Sequence, residues 1–123
     1  MLNYIVTKFD ALMMKNLSYK GWRNRRIKKR VERQIAAHND LAQIEQQYAN
    51  KVAAMMKELK ERYADGVADC ELQEALQEKN VWEIYQGCAR DYDKAMRCHY
   101  DAKAMAEKTR FKARARYPDV NIR

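Results

Sequence analysis

Residues 48–66 read Tyr48-Ala-Asn-Lys-Val-Ala-Ala-Met-Met-Lys-Glu-Leu-Lys-Glu-Arg-Tyr-Ala-Asp-Gly66, and they decide the fold. Tyr48, Val52, Met55, Leu59 and Tyr63 recur at steps of three and four, which places them on one face of an α-helix. Ala64-Asp65-Gly66 breaks the pattern, and Gly66 suits the left-handed position just beyond a helix C-terminus. Followed back toward the N-terminus, the stripe continues through Ile44 or Glu45, Leu41, His38, Ile35 and Val31 to Ile27, with a period of about 3.6 residues. One long helix over 22–63 is therefore expected.

Downstream of the glycine, Asp69 is the expected N-cap of a new helix, with Glu71 and Glu74 at its positive end. Asn80-Val-Trp-Glu83 offers a second, capping-box-like start. From there Val81, Tyr85, Cys88, Tyr92, Ala95, His99, Ala102, Ala106, Thr109 and Ala113 alternate steps of four and three, the seam of a coiled coil. Small residues dominate this seam, so a facing helix can approach closely. Pro118 ends the helix, and the residues after it are expected to fray.

Upstream, Leu2, Ile5, Val6, Phe9, Leu12, Met13 and Leu17 outline an amphipathic helix. Its polar face offers only Lys8 and Lys15, so packing on the domain or on a second copy is favoured over a membrane surface. Asn16 to Gly21, with Ser18 and Gly21, is the expected break before the long helix.

The expected fold is all-α. Residues 1–17 form a short amphipathic N-terminal helix. Residues 18–117 form a long antiparallel helical hairpin, coiled-coil-like, turning near 64–68, and 118–123 form a C-terminal tail. In such a hairpin residue i faces roughly residue 132 − i. Trp82, Ile84, Met96 and Met105 leave apolar surface that the N-terminal helix covers, giving a three-helix bundle, or that a second subunit covers. Val81, Tyr85, Tyr92 and Met96 are the expected self-association residues of a homo-oligomer.

The totals agree with few turns and one domain: 123 residues hold three glycines and one proline. No apolar run reaches the ~18 residues of a transmembrane helix, and the first residues do not read as a signal peptide. Cys70, Cys88 and Cys98 lack Cys-x-x-Cys spacing, so reduced thiols in a cytoplasmic protein are expected, without metal or cofactor. No nucleophile, acid–base pair or glycine-rich phosphate loop is recognisable, and the chain is expected not to be an enzyme.

Charge carries the functional signal. The formal net charge is +8, and residues 20–33 alone hold eight cations (Lys20, Arg23, Arg25, Arg26, Lys28, Lys29, Arg30, Arg33) against Glu32. A second cluster (Lys103, Lys108, Arg110, Lys112, Arg114, Arg116) is opposed by Glu107, whereas residues 58–83 hold eight acids against three bases. Helix pairing does not require such crowding, and an anionic partner would relieve the repulsion. Trp22 and Tyr19 beside the arginines add a stacking surface. The expected partner is a nucleic-acid phosphate backbone or an acidic protein surface, met by the basic residues 20–33 with Trp22, Lys108, Arg110, Lys112, Arg114 and Arg116. In size, charge and helicity the chain resembles small phage accessory and virion proteins. That resemblance makes a protein-binding inhibitor, adaptor or virion component the alternative to a nucleic-acid-binding assembly protein.

Overall fold

A computed structural model describes Lys8 and residues 17–123. The expected N-terminal helix over 1–17 lies outside the described residues, except that Lys8 and Leu17 are both helical. Among the described residues every regular element is a helix. Helix α1 is Leu17–Tyr63, a 3₁₀ turn is Asp69–Glu71, α2 is Leu72–Glu78 and α3 is Trp82–Arg116.

The break expected at 16–21 is absent from 17 onward, because Ser18 and Gly21 lie inside α1. A single glycine costs a helix only ~1 kcal/mol relative to alanine. With no proline or second breaker beside it, the strong helix formers that follow outweigh that cost.

The end of α1 is as expected: Gly66 takes φ 76, the left-handed conformation open to glycine. The next element differs. Asp69 caps nothing; no side chain caps the 3₁₀ turn or α2. Its carboxylate instead accepts from Lys60 Nζ at 3.1 Å. The helix does pause at Asn80, but Asn80 terminates α2 rather than capping α3. It adopts φ 60, its N–H donates to Gln77 O at 3.1 Å, and the Val81 N–H donates to Leu76 O at 3.0 Å. These two bonds form a Schellman motif, and Leu76 and Val81 add its apolar contact within one buried cluster. Asparagine tolerates this conformation better than other side-chain-bearing residues.

The reversal therefore spends a short helix between α1 and α3, and the pairing moves. His99 meets Ala42, not Arg33 as the 132 − i relation requires.

The chain forms two compact units. One, the reversal unit, is His38–Ala104. Its α3 seam is buried as read from sequence: Val81, Cys88, Ala95, His99 and Ala102 are buried, with Tyr85 and Tyr92 half-buried. Its α1 seam is so only in part: Val52 is buried and His38, Glu45, Leu59 and Tyr63 are half-buried as read, but Leu41, Ile44, Tyr48 and Met55 are 48, 60, 48 and 51% exposed, and Ala42 and Ala49 are buried instead. Half-buried and buried positions on α1 are 38, 42, 45, 46, 49, 52, 53, 56, 59, 60 and 63, within which 38, 42, 45, 49, 52, 56, 59 and 63 alternate steps of four and three. The buried face thus takes the alanines that directly follow Leu41 and Tyr48 and leaves those large side chains beside it. His99 fastens the two helices, its ring Nδ1 hydrogen-bonded to the Ala42 carbonyl at 2.6 Å.

The other, basic unit comprises the residues up to Ala37 together with Met105–Arg123. Ile27, Val31 and Ile35 of α1 cluster with Ala106 and Ala113 of α3. The terminal residues do not fray as expected: Val120 and Ile122 complete this core at 7 and 3% exposure. Pro118 turns the chain off the helix, and a tight turn in which the Ile122 N–H donates to Val120 O at 3.1 Å accompanies the burial of both apolar side chains. The Val120 N–H donates to Tyr117 O at 3.1 Å, and Arg114 Nε donates to Ile122 O at 2.9 Å, holding the return in place.

Candidate functional site

All fourteen residues assigned to the basic head fall in the basic unit: Lys20 to Arg33 on α1, and Lys108 to Arg116 on α3. Lys103 belongs to the reversal unit. Residues 17–37 and 105–123 hold fourteen Lys and Arg against Glu32, Glu107 and Asp119, a net of +11. Residues 38–104 hold nine against thirteen acids, a net of −4.

Part of the positive charge is spent on the fold. Tyr117, which sequence reading passed over, collects three arginines. Arg30 Nη2 donates to its hydroxyl at 3.2 Å, while the guanidinium carbons of Arg23 and Arg116 lie 5.8 and 5.4 Å from its ring centroid. Cation–π contacts of this kind hold guanidinium groups near one another without a carboxylate between them. Lys20 Nζ reaches Asp119 Oδ2 at 3.8 Å, and Asn24 Nδ2 donates to the Asp119 carbonyl at 3.5 Å. Lys28 pairs with Glu32 at 4.0 Å, and Arg110 pairs with Glu107. Every acid among the described residues of this unit is thereby engaged.

The rest of the charge is uncommitted. Arg25, Lys29 and Arg33 on α1, and Lys108 and Lys112 on α3, are exposed and form no ion pair with a described residue. Trp22, Arg26, Lys29 and Arg33 step by four, three and four, which sets them on one face of α1. That face lies opposite the buried Ile27 and Val31 and runs about 16 Å along the helix. At its start Arg26 stacks on the half-exposed Trp22 ring, 4.9 Å from the centroid, and Tyr19 packs against the same indole at 5.7 Å. On α3, Phe111 stands 75% exposed between Lys108 and Lys112. The arrangement offers point charges, a planar guanidinium and π surfaces to an anionic, planar ligand.

The expected self-association residues fall elsewhere. Val81 is buried with Leu76, Tyr85 packs against that cluster with its ring stacked on Trp82, and Tyr92 and Met96 are half-buried. Cys70 is exposed, Cys88 buried and Cys98 half-buried, all as free thiols, and no group of three potential ligands for a metal occurs among the described residues. Among those residues no helix is long and apolar enough to cross a membrane. Comparison of the chain with protein-family models, curated proteins and solved structures finds no match.

Proposed function

We propose that the chain is a non-enzymatic helical binding and assembly protein whose basic unit engages the phosphate backbone of nucleic acid. The observation behind this reading is the set of five exposed cations, Arg25, Lys29, Arg33, Lys108 and Lys112, in a unit whose described acids are all paired already. Fixed cations that repel one another in the free protein gain counter-charge when phosphates replace condensed counterions. Successive cations at i and i+4 rise about 6 Å along α1, close enough to serve neighbouring phosphates. Trp22 and Phe111 supply faces on which an unpaired base stacks. No side-chain array here reads base edges, so binding follows backbone and shape. In the same reading the alternating four–three burial of α1 and α3 is an antiparallel coiled-coil seam that stiffens the reversal unit.

Binding of a fluorescent oligonucleotide, single-stranded and duplex, tests the proposal by anisotropy. The triple variant R25E/K29E/R33E is expected to lose at least about a hundredfold in affinity. Reversing Lys51, Arg90 and Arg97 of the reversal unit leaves affinity within a few-fold. Equal losses in both variants, or no binding by the native chain at low salt, would overturn it. A second reading, an acidic protein surface, draws on Phe111, because an exposed aromatic between cations is the composition of an interface hot spot.

A further inference from the structure

Phe111 is the most exposed of the large apolar side chains among the described residues, at 75%. It lies in the basic unit, and the core there does not use it. Ala106 and Ala113 carry the buried side of α3, and Phe111 falls about 150° round the helix from them. Nor is the ring spent on a neighbour. It makes no aromatic or cation–π contact among the described residues, whereas the Trp22 ring already carries Arg26 at 4.9 Å and Tyr19 at 5.7 Å.

The charges beside the ring select its occupant. Lys108 and Lys112 lie about 60° and 100° round α3 on one flank, a turn apart. Both are exposed and form no ion pair with a described residue. On the other flank the polar groups are committed. Glu107 pairs with Arg110, and Arg114 Nε donates to the Ile122 carbonyl at 2.9 Å. A second copy of this face would set lysines on lysines. An uncharged apolar partner would cover the ring and leave both ammonium groups without counter-charge. A chain that alternates anions with flat rings satisfies both. In a duplex, neighbouring base pairs cover the faces of each base, so only phosphates reach α3. A single strand can splay a base onto Phe111 while its phosphates meet Lys108 and Lys112.

We propose that the basic unit selects single-stranded over duplex nucleic acid, with Phe111 as the side chain on which a base stacks. The inference rests on the phosphate-binding reading above and adds to it the side chain that tells the strands apart. It gives no preference among base sequences, because every base has a π face.

Anisotropy with the full chain is the test, using three probes of about 16 nucleotides: a single strand, its duplex, and a strand with the same phosphates but no bases. The native chain is expected to bind the single strand about tenfold more tightly than the abasic strand, and more tightly than the duplex. F111A should lose that tenfold on the single strand and change less than about threefold on the other two probes, which offer the ring no base. F111W should restore single-strand binding, and K108Q/K112Q should weaken all three probes. Phe111 is exposed, and circular dichroism checks that each variant keeps its helicity. Native binding that does not distinguish the single strand from the duplex or the abasic strand would overturn this inference and leave phosphate binding standing. So would an F111A variant that loses nothing, or loses equally on every probe. An F111A variant that keeps its oligonucleotide affinity but no longer binds phosphatidylserine vesicles would assign the ring to a lipid surface and overturn it as well. No binding of any probe at low salt would overturn both readings.

Discussion

The two units solve the same packing problem with different residues. In the reversal unit the seam is built of Ala42, Ala49, Ala95 and Ala102, fastened by the His99–Ala42 hydrogen bond. In the basic unit it is built of Ile27, Val31 and Ile35, and the terminal Val120 and Ile122 fold back to finish it. The charges differ in the same way, −4 over residues 38–104 against +11 over residues 17–37 and 105–123. A weakly charged unit closes on small side chains and leaves its large ones outside. A strongly charged unit has to offset its own repulsion, and it does so with branched aliphatic side chains and with Tyr117 holding Arg23, Arg30 and Arg116. Cations the core does not use are those that the proposal above assigns to a phosphate partner.

That contrast is broken most strongly at the terminus. Ile122→Ala removes a side chain that is 3% exposed, and is expected to cost about 2–4 kcal/mol in urea unfolding. Hydrogen exchange should show the loss of protection in the basic unit, with the amides of the reversal unit changing less. In the reversal unit, His99→Ala removes a buried ring and its bond to Ala42, for about 1–3 kcal/mol. The smallest effect sharpens the account of the turn. Asn80→Ala should cost about 1 kcal/mol because Asn80 is left-handed, whereas Asn80→Gly should be neutral or slightly stabilising. If alanine and glycine behaved alike there, the Schellman reading of the turn would fail.

Much of the helical layout was legible in the sequence, and the misses have physical causes. Scarce breakers announced long helices, and Gly66 and Pro118 marked real ends. The α3 seam was readable because its residues already repeat at the packing period. The α1 seam was misread because large apolar side chains were favoured over alanines. The buried positions Ala42 and Ala49 and the half-buried Met56 lie one residue after Leu41, Tyr48 and Met55, while His38, Val52, Leu59 and Tyr63 fall where they were read. Asn80 looked like a start because asparagine favours both caps and left-handed ends. The fold-back of Val120 and Ile122 had a signal, two apolar residues just beyond a proline, which terminal position masked. Of the candidate site, the basic residues were visible in sequence. Which of them are spent on Tyr117 and Asp119, and which stay free, depends on contacts between α1 and residues about 90 positions away.

The most direct test of the central claim is the salt dependence of oligonucleotide binding, for the native chain and for R25Q/K29Q/R33Q. If the five free cations each displace a counterion from duplex DNA, the logarithm of the association constant should fall against that of salt with a slope of about −4 to −5. Removing three of them should reduce the slope to about −2. Binding that is absent at low salt, or that ignores salt, would contradict phosphate recognition by the basic unit.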